Sequence, residues 1–328
     1  MRPFKYTRAA DVASAIKAAS ANKDAKFIAG GSNIIDLMRE GVLKPSELVD
    51  IAGLNLTQVK ALNGGVSIGA LAKNTDTANH PLIRQGYPLL TQAILSGASA
   101  QIRNMATNGG NLMQQTRCSY FYDIAMPCNK REMGSGCAAV DGINRNHAIF
   151  GWNANCVDVH PSDMCVALAA LDATVNVQGP DGKTRAIAFP DFYQPAADMS
   201  MSDTSLKQGE LITSIDLPKS NFANNSYYLK VRDRASFAFA LVSVAAALEI
   251  SGGKIKQVRL AMGGVAPKPW RALNAEKVLI GKAPDDDIYR AAAEAEMKDA
   301  KPLAHNKFKV ELGKRAIVLA LKRATRKA

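Results

Sequence analysis

The chain has 328 residues, 47% of them hydrophobic and 21% charged, a length that predicts about two domains and a composition that excludes general disorder and fibrous architectures. Its net charge is +12, from 41 Lys and Arg against 29 Asp and Glu, which suits an anionic cofactor, an acidic partner or a nucleic acid. Aromatic residues are only 6% and do not alternate with the basic ones, so no base-stacking surface, and no nucleic-acid partner, is expected.

Asp11 is placed to cap a first helix through Val12, Ala15, Ile16 and Ala19. Residues 25–29 then read as a strand, which runs through Gly30-Gly31-Ser32-Asn33 into a helix over 34–39. A strand, a paired-glycine turn and a helix start form a place where backbone N–H groups can face an anion. Asp50 follows about 20 positions on, as in a dinucleotide site, but the glycine spacing is not G-x-G-x-x-G, which disfavours a Rossmann site. A second unit starts near Leu56, with a strand over 65–70 and a largely buried helix over 87–104. Thr107-Asn108-Gly109-Gly110-Asn111 is a second paired-glycine turn, and two such turns could clasp two parts of one long anionic cofactor.

Of the five cysteines, Cys118, Cys128, Cys137 and Cys156 fall within residues 117–157, a stretch rich in Gly and Asn with no sustained period. A structureless insertion of this length in a compact chain is usually functional, and four thiolates suit a metal centre. Spacing alone leaves three readings open. Disulfides would suit an oxidising compartment, although a chain this large needs no stapling. Zinc would ordinarily take close C-x2-4-C pairs, which are absent, and an iron–sulfur cluster tolerates wider spacing. His147, inside the same stretch, could replace one thiolate. Cys165 lies in an apolar helical segment and reads as a buried small hydrophobe.

Beyond that stretch, His160-Pro161-Ser162-Asp163 caps a helix to residue 170, and 173–177 with 184–189 form a hairpin around Pro180-Asp181-Gly182. After a polar linker at 220–225 come 227–231 and 238–250, two strands or a strand and a helix, and a strand over 256–262. Helices follow over 285–297 and 306–322, the second with Phe308, Leu312, Ile317 and Leu321 on one face. Its Lys314, Arg315, Lys322 and Arg323, with Arg326 and Lys327, read as a solvated basic face. The longest mostly apolar run, 237–248, is too short to span a bilayer. The first twenty residues lack the apolar core of a secretory signal, which taken alone points to the cytoplasm. No HExxH, P-loop or Ser-His-Asp pattern is present.

Together these residues resemble the FAD-binding (medium) subunits of the xanthine dehydrogenase/CO dehydrogenase family of molybdenum hydroxylases. The likeness is carried by residues 26–33, by 107–111, by Asp163, by Gly209-Glu210-Leu211-Ile212, and by Lys230 ahead of Arg232-Asp233-Arg234-Ala235-Ser236. Within the family the cysteine insertion is most similar to the FAD and [4Fe-4S] subunits of bacterial periplasmic aldehyde oxidoreductases, through Arg117-Cys118, Pro127-Cys128-Asn129-Lys130-Arg131, Gly134-Ser135-Gly136-Cys137 and Cys156.

The resemblance implies an α+β chain. A two-part FAD-binding domain of the PCMH (vanillyl-alcohol-oxidase-like) type would cover 1–219, with subdomains of about 1–55 and 56–219 and a cluster loop over 116–157. A C-terminal α+β domain like that of CO dehydrogenase flavoproteins would cover 220–328. It implies FAD held by Lys26, Phe27, Ile28, Ala29, Gly30, Gly31, Ser32, Asn33 and Ile34 on one side and Thr107, Gly109, Gly110 and Asn111 on the other. Gly30 and Gly31, lacking Cβ atoms, would let the backbone approach the diphosphate. Asp163 would take a polar group of the cofactor, Thr213 would touch the flavin through its backbone, and Lys230 would stand near the pyrimidine edge. Cys118, Cys128, Cys137 and Cys156 would hold a [4Fe-4S] cluster. Substrate chemistry would belong to a large molybdopterin-cofactor subunit, and a small subunit with two [2Fe-2S] centres would feed electrons to FAD. The resembled complex is exported folded on a partner's signal, which implies the periplasm. Two alternatives remain at this point: a flavoprotein subunit of a hydroxybenzoyl-CoA-reductase-like enzyme, and a zinc-bearing non-catalytic interaction protein.

Overall fold

A computed structural model of the chain describes residues 1–194 and 203–326; Lys327 of the basic tail lies outside them. The first fifty residues form β1 (Lys5–Arg8), α1 (Val12–Ala21), β2 (Ala25–Ile28), α2 (Ile34–Arg39) and β3 (Glu47–Asp50). The strands make a parallel sheet in the order β1-β3-β2, with Lys5 and Ala25 both registered on Glu47. Helix α1 starts where expected: Asp11 Oδ1 accepts from Ser14 N at 2.7 Å and Ser14 Oγ accepts from Asp11 N at 3.0 Å, a reciprocal cap. Ala15, Ile16 and Ala19 are its buried face. Asp50 closes the end of β3, accepting from Tyr6 OH at 2.5 Å and Ala52 N at 2.9 Å, a structural use that agrees with the rejection of a Rossmann acid.

The middle of the chain contributes β4 (Val59–Leu62), β5 (Gly65–Gly69), α3 (Asn74–Asn79), α4 (Pro81–Gly86), α5 (Pro88–Ser96), α6 (Ala100–Arg103) and α7 (Asn108–Leu112). After α8 (Ser119–Tyr122) and the cysteine segment come α9 (Asp163–Ala170), β6 (Thr174–Gln178), β7 (Thr184–Ala188), α10 (Phe189–Phe192) and β8 (Leu211–Leu217). Five antiparallel strands run in the order β4-β5-β8-β6-β7. Every residue of α9 is buried, which makes Cys165 a core residue as its sequence context implies. The single helix expected over 87–104 is instead two: α5 ends at Gly97, and Ala98 adopts φ 50 before Ser99 caps α6. The short polar sequence Gly-Ala-Ser accommodates a left-handed residue and a new N-cap, so the helix breaks there.

The last hundred residues form β9 (Ser226–Val231), β10 (Val242–Ser251), β11 (Lys254–Gly263), β12 (Trp270–Arg271), α11 (Leu273–Leu279), α12 (Asp286–Met297) and α13 (Phe308–Thr325). The antiparallel order is β12-β11-β10-β9, so both segments left open as strand or helix are strands. Val244, Leu248, Val258 and Leu260 face the helices, while Ala245, Ala247 and Ala261 of the same strands join the core built around α5 and α9. Small side chains on that second face let α9 approach the sheet closely. The buried face of α13 corrects the sequence reading: Ile317 and Leu321 are inside, but Phe308 is exposed and Leu312 only half-buried. Lys309, Gly313, Ala316 and Ala320 complete the face, because Met297 fills the space a Cβ at Gly313 would need. Among the described residues no helix is long and apolar enough to cross a membrane.

The candidate flavin cleft and cysteine loop

One cleft of about 1020 Å³ opens where the three regions meet. It is at the upper end of small-molecule sites, which run from about 300 to 1,000 Å³. Ser32 and Asn33 enter it from the first glycine turn, and Gly110 and Asn111 from the second. Asp163 and Lys230 line the opposite side. The remaining sequence-predicted residues stand behind this surface: Lys26, Phe27 and Ile28 in β2, Ala29, Gly30 and Gly31 in the turn, and Ile34 at the start of α2.

The second glycine turn is itself the first turn of α7, capped by Thr107 Oγ1 on Gly110 N at 3.2 Å. An amide network fixes it. Asn74 Nδ2 donates to Asn108 Oδ1 at 2.9 Å, Asn108 Nδ2 to Thr77 Oγ1 at 2.7 Å, and Asn111 Nδ2 to Asn74 Oδ1 at 2.9 Å. Gly109 packs on Ala70, while a Cβ at Gly110 would meet only the capping hydroxyl. Gly30 has a structural purpose within the chain itself: its missing Cβ admits a backbone carbonyl of the protein. A Cβ there would stand 2.0 Å from Met105 O, so glycine at 30 is what lets the first turn rest on the residues leading into the second. Gly30→Ala is therefore expected to push the two turns apart, costing about 1–3 kcal/mol as an overpacked site and weakening flavin retention. Gly86→Ala, with nothing within 4 Å of the added carbon, serves as the neutral control in the same thermal-denaturation and flavin-content measurements.

Asp163 and Lys230 face the cleft but are committed to each other. Lys230 Nζ lies 2.7 Å from Asp163 Oδ2, their side chains 4% and 7% exposed, and also donates to Ser96 O at 3.0 Å. Tyr228 OH donates to the other carboxylate oxygen at 2.7 Å; burial, then the nearby carboxylate, push that phenol well above its ordinary range. The helix N-cap is Ser162, not Asp163: Ser162 Oγ accepts from Cys165 N and donates to Asn111 Oδ1 at 2.6 Å, tying α9 to α7. Thr213 does not reach the cleft. Its carbonyl accepts from Ala70 N and its hydroxyl donates to Asn176 O, both within the sheet around β8.

Three donor atoms of the cleft lining fit an anionic ligand. Asn33 Oδ1 accepts from Gln115 N at 3.0 Å, and Asn33 Nδ2, Arg103 Nε and Arg117 Nε are buried without a hydrogen-bond partner among the described residues. Sequence reasoning missed Arg103, because a lone arginine carries no motif and only the fold brings it to the cleft. Arg117, noted in the sequence only beside Cys118, holds Asp36 at 2.8 Å and Tyr122 OH at 2.6 Å and stacks near Phe239.

The cysteine loop is knit by side-chain-to-backbone bonds in place of a core. Asn129 Oδ1 accepts from Gly134 N and Gly136 N, Asn129 Nδ2 donates to Asn155 O, and Arg131 donates to the carbonyls of Tyr120, Phe121 and Met126. Lys130 joins Asp158 at 2.6 Å and Asp203 at 2.5 Å; burial opposes its charge, but the two carboxylates hold its pKa above the ordinary value. All five cysteines are free thiols. Cys128 pairs with Cys137 in an isolated antiparallel bridge, and Cys156 with Asn153 in another. Burial pushes Cys118 up to about 11 and raises Cys156. Among the described residues no three His, Cys, Asp or Glu side chains are grouped closely enough to hold a metal ion. The donor set of four cysteines, in a loop anchored by its own polar groups, fits a cluster whose thiolates bind four different irons better than one tetrahedral ion.

The far side of the loop is clamped to the C-terminal region. Ile149 N and Phe150 N donate to Val265 O, Asn306 Nδ2 donates to His147 O and Ala148 O, and Lys309 Nζ donates to His147 O at 3.0 Å and Gly264 O at 2.7 Å. Lys309 is fully buried and, among the described residues, has no carboxylate partner; burial, with Arg145 second, lowers it from 10.5 to about 7. The unfolded chain keeps this proton well above the pH at which the native lysine loses it. Stability contributed by this residue must therefore rise with pH between about 7 and 10.5 and be flat below. Melting temperatures of the wild type and Lys309→Met should accordingly shift relative to each other in the wild type's favour from pH 7 to pH 9; a constant difference would show that Lys309 stays charged.

A mixed α+β chain with two glycine turns facing one cleft suits a protein that holds a long anionic cofactor. Comparison with known proteins agrees: residues 2–220 match the FAD binding domain in molybdopterin dehydrogenase, and residues 227–327 the CO dehydrogenase flavoprotein C-terminal domain. The chain belongs to this family, the FAD-binding medium subunits of molybdenum hydroxylases. It is 45% identical over 329 residues, and over the full length of both chains, to the aldehyde oxidoreductase FAD-binding subunit PaoB of Escherichia coli K12. It is 31% identical to the glyceraldehyde dehydrogenase medium chain of Sulfolobus acidocaldarius, covering 88% of this chain and 85% of that one. A solved carbon monoxide dehydrogenase from Hydrogenophaga pseudoflava shares the fold, with a TM-score of 0.78, 24% identity and complete coverage of both chains.

Proposed function

We propose that this chain is the FAD-binding electron-transfer subunit of a heterotrimeric molybdenum aldehyde oxidoreductase, and that Cys118, Cys128, Cys137 and Cys156 carry a [4Fe-4S] cluster beside the flavin site. The observation that carries the reading is that Cys118 lines the same cleft as both glycine turns. The full-length similarity to an aldehyde oxidoreductase FAD-binding subunit supports the substrate class. A large molybdopterin-cofactor subunit would oxidise the aldehyde, and a small subunit with two [2Fe-2S] centres would pass electrons to this one.

Bound FAD supplies the exchange between single electrons and electron pairs. The protein's part is to bind and orient. Asn33, Gly110 and Asn111 would hold the diphosphate side, with Asn33 Nδ2 the free donor. Asp163 and Lys230 present a neutral, rigid pair, so the cleft wall does not reorganise as charge on the ligand changes. We extend the proposal to a periplasmic location, reached with a signal-bearing partner, because a cofactor-loaded subunit must fold before export. Affinity purification of this chain from its host, with identification of the bound subunits, flavin, iron and cell fraction, tests the reading. Co-isolation of a molybdenum subunit and a [2Fe-2S] subunit with aldehyde-oxidising activity is expected; a flavin- and iron-free chain isolated alone would overturn it.

A further inference from the structure

His147 touches the cysteine site and the cleft at once. Its Nε2 lies 3.1 Å from Cys118 Sγ, and both residues line the cleft. The residue is 5% exposed, and its Nδ1 is buried with no hydrogen-bond partner among the described residues. Its main chain is held from three directions: His147 N donates to Asn144 O at 3.1 Å, and His147 O accepts from Asn306 Nδ2 at 3.1 Å and Lys309 Nζ at 3.0 Å. A residue fixed so firmly by another region of the fold keeps its ring where it is when the thiol changes state.

The tautomer follows from the neighbours. A metal-bound cysteine is a thiolate and offers no proton, so a contact at this distance is attractive only with the hydrogen on Nε2. The opposite tautomer would set two lone pairs against each other and bury an unpaired N–H at Nδ1, a greater cost than leaving an acceptor bare.

We propose that His147 is a positioning residue for Cys118: its Nε2–H donates to the thiolate, orients it and raises the reduction potential of the cluster it serves. Hydrogen bonds to cluster sulfurs favour the reduced, more negative state, and second-shell donors tune metal sites in the same way. The inference rests on the [4Fe-4S] reading above.

The test uses the whole complex carrying His147→Leu or His147→Gln, with iron and acid-labile sulfide assayed and the [4Fe-4S] signal followed in a redox titration. The Gln amide nitrogen can reach the position of Nε2, whereas Leu cannot donate. A midpoint lowered in His147→Leu and restored toward wild type in His147→Gln, at unchanged iron and sulfide content, is the expected result. Iron lost from the Leu variant but kept at wild-type potential in the Gln variant would support the same role. An unmoved midpoint in His147→Leu, an equal shift in both variants, or iron lost from both would overturn it. A wild-type complex with flavin but no iron beyond its [2Fe-2S] centres would instead remove the cluster reading itself.

Discussion

Asp163→Ala is expected to cost about 3–5 kcal/mol of stability and to empty the flavin site, the largest loss from any single substitution at the cleft. The argument is electrostatic. Lys230 is almost completely enclosed, and Asp163 is its only carboxylate partner among the described residues; removing it leaves the ammonium with Ser96 O. Tyr228 loses its acceptor in the same step. Asp163→Asn, which still accepts from Tyr228, should cost less, and Asp163→Ala/Lys230→Met should recover much of the loss because no unpaired charge remains. Denaturant titration with flavin content measured on each variant provides the check. A loss below about 1 kcal/mol would mean that the pair is solvated in solution.

The second large effect is expected at the cysteines, and the fifth cysteine supplies its control. On the proposed [4Fe-4S] reading, Cys156→Ser should lower bound iron at least about tenfold, since it removes a ligand where even supporting residues are worth 10–100-fold. The loop over 116–157 should then become protease-sensitive. Its cohesion comes from polar bonds such as those of Asn129 and Arg131, and in metal-stabilised segments much of the folding free energy is binding free energy. Cys165→Ser should leave iron unchanged, because Cys165 is a core residue of α9, packed in the apolar cluster with its thiol on Tyr193 OH and its N–H on the Ser162 cap. If failure of the subunit to assemble, not slower turnover, accompanies the loss of iron, the cluster acts as a brace.

What could be read in the sequence was local or carried by a motif. The Asp11 cap and the Pro180-Asp181-Gly182 hairpin each depend on residues a few positions apart, and each forms. Several features escape because their reasons lie elsewhere in the chain. Strand β1, Lys-Tyr-Thr-Arg, shows no apolar alternation and exists through its pairing with β3 some forty residues later. The break at Gly97–Ala98 interrupts an apolar pattern that continues on both sides. At the site, both glycine turns are legible, yet the reason for Gly30 is not. The carbonyl that needs the space belongs to Met105, and no periodicity places it there. The contact of His147 with Cys118 spans 29 residues of irregular loop and is set by Asn306 and Lys309, from the opposite end of the chain.

The claim on which the account depends is that the cleft between Asn33 and Gly110 is the flavin site. An experimental map of the flavin-loaded complex decides it directly. FAD density along that cleft, with a polar group of the cofactor at Asn33 Nδ2, is the predicted result. Flavin bound elsewhere on the subunit, with the cleft filled by solvent or by a partner's side chains, would contradict it.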